Sequence, residues 1–263
     1  MKYMKLNDGL EIPAIGFGTF MIPADGTTYE TVKTAIELGI RHIDTATAYF
    51  NEQEVGQAVK DSGVEREDIW ITSKLWLQDY EYENAKKAID LSLEKLGTDH
   101  MDLYLLHQPY GKVDEAWRAL EEAKEEGKIL SIGVSNMTPK LWNKWVPDFD
   151  SIPSVNQVEF NPYIQQKELK EILNPLDVKI QAWGPLGRGN ADLLNNPVIL
   201  ELAKKYGKNA GQIILRFENQ EGIIVFPKSL NPERIKSNME ILDRKSTRLN
   251  SSHPTTSRMP SSA

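Results

Sequence analysis

Four side chains that can bind or release protons follow short apolar runs in this sequence. Asp44 and Tyr49 stand five residues apart in the stretch HIDTATAYFNE. Lys74 ends the run IWITSK, and His107 ends the run MDLYLLH. A tyrosine, with an unperturbed pKa of about 10, can give a proton to an oxygen that is becoming an alkoxide. A lysine ammonium nearby is expected to lower that pKa toward working pH.

The other two side chains would complete a set for reducing a carbonyl group by hydride. Asp44 would keep the Lys74 ammonium charged and in place, and His107 could donate a hydrogen bond to the substrate oxygen. A good nucleophile is missing, because the chain has no cysteine and no serine paired with histidine in a recognisable motif. Each residue alone could be structural, for instance Asp44 as a cap and Tyr49 as a packed ring. Whether the four residues lie together in the fold therefore decides between a catalytic and a structural interpretation.

The elements that position these residues alternate regularly from about residue 14 to residue 240. Helical patterns such as TVKTAIELG, ENAKKAIDLSLEKLG and DEAWRALEEAKEEGK separate short apolar runs, and Gly97 stands where a helix C-cap is expected. Strands that each lead into a helix form a parallel sheet, and eight such units close as an α/β protein of the (β/α)8 TIM barrel class. An open doubly wound sheet is the alternative, but its best GxGxxG candidate, GFGTFM, lacks the third glycine. The eight runs are AIGFG (14–18), RHID (41–44), IWITSK (69–74), MDLYLLH (101–107), ILSIGVS (129–135), SVNQVEF (154–160), VKIQAW (178–183) and GIIVFP (222–227).

The two ends of the chain differ from this repeat. The N-terminal segment MKLNDGLEIP has Asp-Gly between two β-like stretches, which predicts a β-hairpin covering the bottom of the barrel. Residues 244–263 are rich in Ser and Thr and carry four Lys/Arg and no Asp/Glu. Such a segment buries too little apolar surface to offset its ordering entropy. We predict a single barrel domain over residues 1–243 and a disordered tail over residues 244–263.

Composition argues against several classes of function. The formal net charge is −7, and −11 without the tail, which argues against a general nucleic-acid binder. No apolar run approaches the roughly 18 residues that a membrane span needs. The N-terminus lacks the apolar core of a signal peptide, so we expect a cytoplasmic protein. With no cysteines, disulfides and thiolate zinc sites are ruled out. Nothing in the sequence indicates an obligate oligomer, and a monomer is expected.

In TIM barrels the chemistry lies on the loops that follow the carboxyl ends of the strands. The four proton-handling residues all fall there, which makes an accidental grouping improbable. A metal-dependent isomerase or hydrolase would need clustered His and carboxylate ligands at the same ends, and only His107 and Asp44 stand there. We therefore expect no metal site. Further polar or aromatic residues at this rim are Ser135, Asn136, Gln157, Trp183, Lys228 and Ser229.

Taken in order, the motifs resemble those of the aldo-keto reductase family. The resemblance runs from about residue 4 to residue 243 and is closest to bacterial diketogluconate and small-aldehyde reductases, which share the H-Q-P at 107–109. The matching motifs are G-F-G-T (16–19), H-I-D-T-A-x-x-Y-x-N-E (42–52), S-K-L-W (73–76), D-L-Y-L-L-H-x-P (102–109), G-K-I-x-x-I-G-V-S-N (127–136), N-Q-V-E (156–159), P-L-G-R-G (185–189) and P-K-S-x-x-P-E-R-I (227–235).

The resemblance implies NADPH-dependent reduction of aldehydes or ketones to alcohols. Tyr49 would be the proton donor, Asp44 and Lys74 the pair that tunes it, and His107 the group that orients the carbonyl. Phe20, Trp76 and Gln108, with Pro109 and Tyr110 beside them, would line a pocket suited to small aldehydes and α-dicarbonyls.

The resemblance also implies an extended NADPH site across the rim. Within it, Trp183 would stack on the nicotinamide, and residues 184–187 would run along the pyrophosphate. The 2′-phosphate would lie on Lys228, Ser229 and Arg234, since a phosphate dianion favours lysine and guanidinium groups. Ser237 departs from the Glu common at its position, beside an adenine contact at Asn238. The implied cofactor residues are Gly18, Thr19, Ser135, Asn136, Gln157, Trp183, Gly184, Pro185, Leu186, Gly187, Lys228, Ser229, Arg234 and Asn238.

The sequence departs from the family after Asp243. Family members continue with a segment that completes the last helical region and covers the substrate pocket, whereas the tail here is unlike it. We therefore expect a truncated C-terminus with altered substrate specificity and lower stability. Two alternatives to full reductase activity follow: a catalytically impaired enzyme and a barrel that binds NADPH as a sensor.

Overall fold

The structure, a computed structural model, describes residues 2–242. Its centre is a sheet in which eight strands, β3 to β10, pair in parallel and follow one another in chain order. A parallel bridge between Ile15 and Val225 joins the two edges of the sheet, which closes it into a barrel. This confirms the predicted (β/α)8 TIM barrel. The strands are β1 (Tyr3–Lys5), β2 (Glu11–Pro13), β3 (Phe17–Gly18), β4 (His42–Asp44), β5 (Trp70–Leu75), β6 (Met101–Leu106), β7 (Ile129–Ser135), β8 (Val155–Glu159), β9 (Lys179–Trp183) and β10 (Ile224–Val225).

Helices connect the barrel strands and bury one face each. In α3, the apolar side chains at helical spacing are buried, and Gly97 ends the helix in the left-handed conformation, with φ 64°. This is the C-cap that the sequence predicts. The helices are α1 (Thr27–Glu37), α2 (Glu52–Lys60), α3 (Tyr82–Leu96), α4 (Val113–Glu125), α5 (Pro139–Trp145), α6 (Lys167–Leu173), α7 (Ala191–Leu194), α8 (Pro197–Tyr206), α9 (Ala210–Gln220) and α10 (Pro232–Met239).

The predicted N-terminal hairpin is also confirmed. Strands β1 and β2 pair antiparallel, and Leu6 and Ile12 pack against apolar side chains from the lower ends of the barrel strands. The turn is fastened by Asp8, whose Oδ2 accepts hydrogen bonds from the hydroxyls of Ser131 (2.7 Å) and Ser154 (2.9 Å). The hairpin therefore closes the end of the barrel opposite the predicted site.

Parallel pairing brings the carboxyl ends of the barrel strands to one rim. Asp44 and Trp183 are the last residues of their strands. Lys74 is the penultimate residue of β5, and His107 directly follows β6. The barrel register thus places residues that are far apart in sequence at a common edge.

Two further predictions concern membrane-spanning helices and the C-terminal end of the chain. Within residues 2–242, no helix is long and apolar enough to cross a bilayer. Asp243 and the tail over residues 244–263 lie outside the described residues. The domain boundary and the disorder of the tail therefore stay predictions.

Candidate active site

The site is centred on Lys74, whose side chain is fully buried. Its ammonium donates to Asp44 Oδ1 at 2.7 Å, to the Thr45 carbonyl at 2.7 Å and to the Tyr49 hydroxyl at 3.4 Å. Burial alone would lower the pKa of Lys74, but Asp44 and then Tyr49 outweigh it and raise that pKa above its ordinary value. The lysine is therefore a fixed positive charge beneath the phenol.

Tyr49 stands in a short 3₁₀ turn, Thr47–Tyr49, that follows β4. The sequence-based expectation that Lys74 would lower its pKa overall is wrong. Burial raises the pKa of Tyr49 above its ordinary value, Lys74 opposes this only in part, and Asp44 adds to the rise. The expectation failed because the burial of the Tyr49 side chain depends on the elements packed around it, which the sequence alone does not show. Tyr49 consequently stays protonated through neutral pH, which is the form that a proton donor requires.

His107 packs edge-to-face against two aromatic rings, with centroid distances of 5.6 Å to Tyr49 and 4.9 Å to Trp76. Burial, reinforced by the positive charge of Lys74, lowers the pKa of His107 to about 3. The imidazole is therefore neutral. Its Nδ1 is buried without a hydrogen-bond partner among the described residues. Because a buried N–H without an acceptor is costly, the proton is favoured on Nε2.

The amide side chains at the rim belong to the same network. Gln157 Nε2 donates to Asp44 Oδ2 at 2.7 Å and to Gln181 Oε1 at 3.0 Å. Asn136 Nδ2 donates to the His107 carbonyl at 3.1 Å, and Asn136 Oδ1 accepts from Trp183 Nε1 at 2.9 Å. The predicted nicotinamide-binding residues are therefore connected directly to the proton-handling set.

Ser135 and Thr19 join this network through backbone carbonyls. Ser135 Oγ donates to the carbonyl of Gln157 at 2.8 Å. The backbone N–H and Oγ1 of Thr19 both lie 3.0 Å from the Asp44 carbonyl, which they share as acceptor. Gly18 pairs with Asp44 in the sheet register. The contacts of Thr19 and Gly18 hold the end of β4, from which Asp44 projects, and the contact of Ser135 holds the strand that carries Gln157.

Asn51 fastens the loop that carries Tyr49, and sequence reasoning missed it. Its Nδ2 donates to the carbonyls of Thr19 (3.1 Å) and Ile22 (3.2 Å), while its Oδ1 accepts from Thr45 Oγ1 at 2.8 Å. The side chain thereby ties the loop after β3 to the loop after β4. The only available signal was its place in the motif Y-x-N-E.

Aromatic side chains pack beside Tyr49 and His107. The Phe20 ring lies 5.0 Å from the Tyr49 ring, and Trp76 packs on His107 as described. Gln108 is held through its backbone, because the Tyr80 hydroxyl accepts from its N–H and donates to its carbonyl. Tyr110, at the same rim, is 60% exposed. Phe20 and Trp76 therefore contact Tyr49 and His107, respectively, and a pocket lined by these residues and Gln108 stays a prediction.

The residues predicted to bind the far end of a dinucleotide lie apart from this network. Lys228 lies shortly after β10 and Arg234 lies in α10, and both are exposed. Neither side chain is ion-paired within residues 2–242. Ser229 Oγ accepts from the backbone N–H of Asn231 at 3.1 Å, and Asn238 is half-buried in α10. In the sequence, the loop that begins with Gly184, Pro185, Leu186 and Gly187 directly follows Trp183.

No three His, Asp or Glu side chains in the described part of the chain converge closely enough to hold a metal ion. Asp44 and His107, the two rim residues that could act as metal ligands, make different contacts. Asp44 is bonded to Lys74 and Gln157, and His107 is packed between aromatic rings.

We expect the free energy of unfolding to fall as the pH drops from 6.5 toward 3. Burial lowers the folded-state pKa values of His42 and His107 to about 3, whereas the unfolded chain takes up these protons near pH 6.5. The contribution of these two histidines to the free energy of unfolding is therefore fully present above pH 6.5. Below that pH it decreases by about 1.4 kcal/mol per pH unit for each histidine.

Urea unfolding at about pH 7 and about pH 5 tests this expectation. The His107→Gln variant should lose about 2 kcal/mol less than the native chain between the two pH values, because one of the two linked protons is gone. Equal losses in both proteins would show that the folded chain protonates His107 in this range.

The chain matches known proteins over most of its length. The model of the Aldo/keto reductase family matches residues 14–250. An aldo-keto reductase of Mycolicibacterium smegmatis is 43% identical over 241 residues, which cover 90% of this chain and 86% of that protein. Glyoxal reductase of Bacillus subtilis is also 43% identical over 241 residues, covering 91% and 87%. The crystal structure of an aldo/keto reductase from Brucella melitensis superposes with a TM-score of 0.92 at 42% identity, covering 98% of this chain and 99% of that one.

Proposed function

Because this chain belongs to the aldo-keto reductase family, we propose that it reduces small aldehydes and α-dicarbonyls with NADPH, using Tyr49 as proton donor. The family reduces carbonyl compounds with nicotinamide cofactors, so the chain is an oxidoreductase. The observation that carries the proposal is the buried Lys74 ammonium, bonded at once to Asp44 and to the Tyr49 hydroxyl.

The proposed reaction needs a hydride, which the cofactor would supply, and a proton, which the protein supplies. When bound, the cofactor would supply the hydride for the new C–H bond at the carbonyl carbon. Tyr49 gives its hydroxyl proton to the carbonyl oxygen as that oxygen gains negative charge. Lys74 stabilises the phenolate that remains, and Asp44 keeps the ammonium in place. His107, with its proton on Nε2, donates a hydrogen bond to the same oxygen and orients it.

The residues at the rim fit a dinucleotide of the proposed kind. Trp183 offers a flat, half-buried ring beside the amides of Asn136 and Gln157. Lys228 and Arg234 offer exposed cations on a chain whose net charge is negative. A phosphate dianion is matched by such a pair, whereas a ribose diol needs only an acceptor. These features support NADPH rather than NADH.

Two aromatic side chains support the proposed substrate class. Phe20 and Trp76 contact Tyr49 and His107, the two residues that would hold the carbonyl. Aromatic neighbours of this kind suit small carbonyl compounds without fixed charge. The similarity to a glyoxal reductase supports α-dicarbonyls in particular. All four proton-handling side chains come from one chain, so the proposed chemistry requires no residue from a second copy.

Replacing Lys228 and Arg234 by glutamine tests the cofactor proposal. We expect the KM for NADPH to rise about tenfold or more, because two charge-assisted contacts to the 2′-phosphate are lost. The KM for NADH should stay unchanged. The double variant Lys5→Gln/Lys60→Gln, which removes two exposed lysines in β1 and at the end of α2, is the matched control for net charge. A parallel change for both cofactors would contradict recognition of the 2′-phosphate by this pair.

A further inference from the structure

The loop after β9 contains an arginine in an unusual backbone conformation. Gly187, Arg188 and Gly189 are consecutively left-handed, with φ values of 60°, 55° and 81°. Glycine adopts this region freely, whereas an arginine does so only where the surrounding structure compels it. Backbone hydrogen bonds from Gly187 to Gly184 (2.8 Å) and from Gly189 to Leu186 (3.2 Å) maintain the turn.

This turn directs the Arg188 side chain back over the start of its own loop. Its Cγ lies 3.5 Å from the position that a Cβ on Gly184 would take. The guanidinium carbon then lies 4.6 Å from the centroid of the Trp183 ring. A guanidinium at this distance over an indole face is held by a cation–π interaction. Arg188 was part of the motif P-L-G-R-G but had no assigned role.

The indole beneath the guanidinium is fixed in orientation. Trp183 Nε1 donates to Asn136 Oδ1 at 2.9 Å, and Asn136 is anchored in turn to the His107 carbonyl at 3.1 Å. Trp183 is half-buried and Arg188 is exposed. The guanidinium therefore occupies one face of a ring that is only half-buried, and a second ring stacking on that face must displace it.

We propose that Arg188 competes with the nicotinamide ring for the exposed face of Trp183, and so limits the affinity contributed by the nicotinamide half of the cofactor. The inference rests on the proposed function, in which the nicotinamide stacks on Trp183. Arg188 is in this respect a specificity-determining residue of the cofactor site. Its guanidinium leaves the ring when the nicotinamide binds and returns when the nicotinamide departs.

Two ligands separate this competition from any contact between Arg188 and phosphate. NADP+ carries the nicotinamide, and 2′-phospho-ADP-ribose lacks it but keeps the phosphates. We would measure both dissociation constants by calorimetry for the native chain and for Arg188→Met. A contact to phosphate changes both ligands alike and cancels in their ratio. Competition for the indole predicts that NADP+ gains about two- to fivefold relative to the fragment in Arg188→Met.

Three further variants complete the test. Lys60→Met removes an exposed charge elsewhere and should leave the ratio unchanged. Arg188→Lys keeps a cation but lacks the planar group, so its ratio should fall between those of the native chain and Arg188→Met. In a Trp183→Leu background, Arg188→Met should no longer alter the ratio, because there is no indole face to compete for.

The outcomes distinguish this inference from the proposed function. A native chain that binds neither ligand would overturn the NADPH proposal and the competition with it. A native chain that binds both, with an unchanged or reduced ratio in a folded Arg188→Met protein, would overturn the competition alone. A ratio that rises equally in the Trp183→Leu background would also overturn it.

Discussion

The Tyr49→Phe variant is expected to lose between about 10² and 10⁴ in kcat, because it removes a positioned proton donor. The ring would keep its packing against Phe20 and His107, and only the hydroxyl that lies 3.4 Å from Lys74 would be lost. Cofactor binding should persist, since no predicted cofactor contact is removed. Steady-state NADPH oxidation with methylglyoxal and aromatic aldehydes, together with calorimetric titration of NADPH, measures both quantities.

Tyr3→Phe is the matched control for this variant. Tyr3 lies in β1, at the end of the barrel opposite the proposed site, and is 48% exposed, so its hydroxyl is available to solvent rather than bonded to Lys74. Its removal should leave kcat close to the native value. Equal kcat values for the native chain and Tyr49→Phe would remove Tyr49 from the mechanism. An equal loss in both tyrosine variants would point to a general disturbance of the fold.

The Lys74→Met variant is expected to lose both activity and stability. Methionine keeps an unbranched apolar side chain, one atom shorter than lysine, but leaves the buried Asp44 carboxylate with Gln157 Nε2 as its side-chain donor within residues 2–242. Breaking a buried ion pair from one side costs about 3–5 kcal/mol, because an uncompensated charge remains. Urea unfolding measures this loss, and NADPH oxidation measures the loss of turnover expected without the charge beneath the phenol.

Two further proteins identify the cause of the instability. The double variant Asp44→Asn/Lys74→Met removes both charges and should recover much of the lost stability while remaining inactive. Lys86→Met breaks the solvent-screened pair of Lys86 with Glu122 and should cost much less stability than Lys74→Met. A loss in Lys74→Met no greater than that in Lys86→Met would contradict the buried-pair account.

The location of the proton-handling residues followed from the sequence because the rules that apply are local and periodic. Apolar runs alternate with amphipathic helices, and parallel pairing brings the end of every run to one rim. Asp44, Lys74 and His107 all stand at or next to such an end, so their proximity could be inferred before any distance was known. The hairpin followed equally from Asp-Gly between β-like segments.

The properties that sequence could not supply depend on contacts between distant residues. The pKa of Tyr49 depends on how deeply its loop is buried, and the sign of the net shift was mistaken for that reason. The clamp made by Asn51 joins carbonyls 29 and 32 residues away, a relation that no spacing rule contains. Arg188 reaches Trp183 only because three consecutive residues turn left-handed, and a non-glycine residue rarely takes that conformation.

The central claim is that the Lys74 network performs carbonyl reduction in this chain, and a single-turnover experiment tests it most directly. The protein saturated with NADPH would be mixed with methylglyoxal while the nicotinamide absorbance is followed and the organic product is identified. We expect the absorbance to fall with formation of one equivalent of alcohol per equivalent of NADPH consumed. Bound NADPH that stays reduced, with no alcohol formed, would contradict the account and favour an impaired or cofactor-sensing barrel.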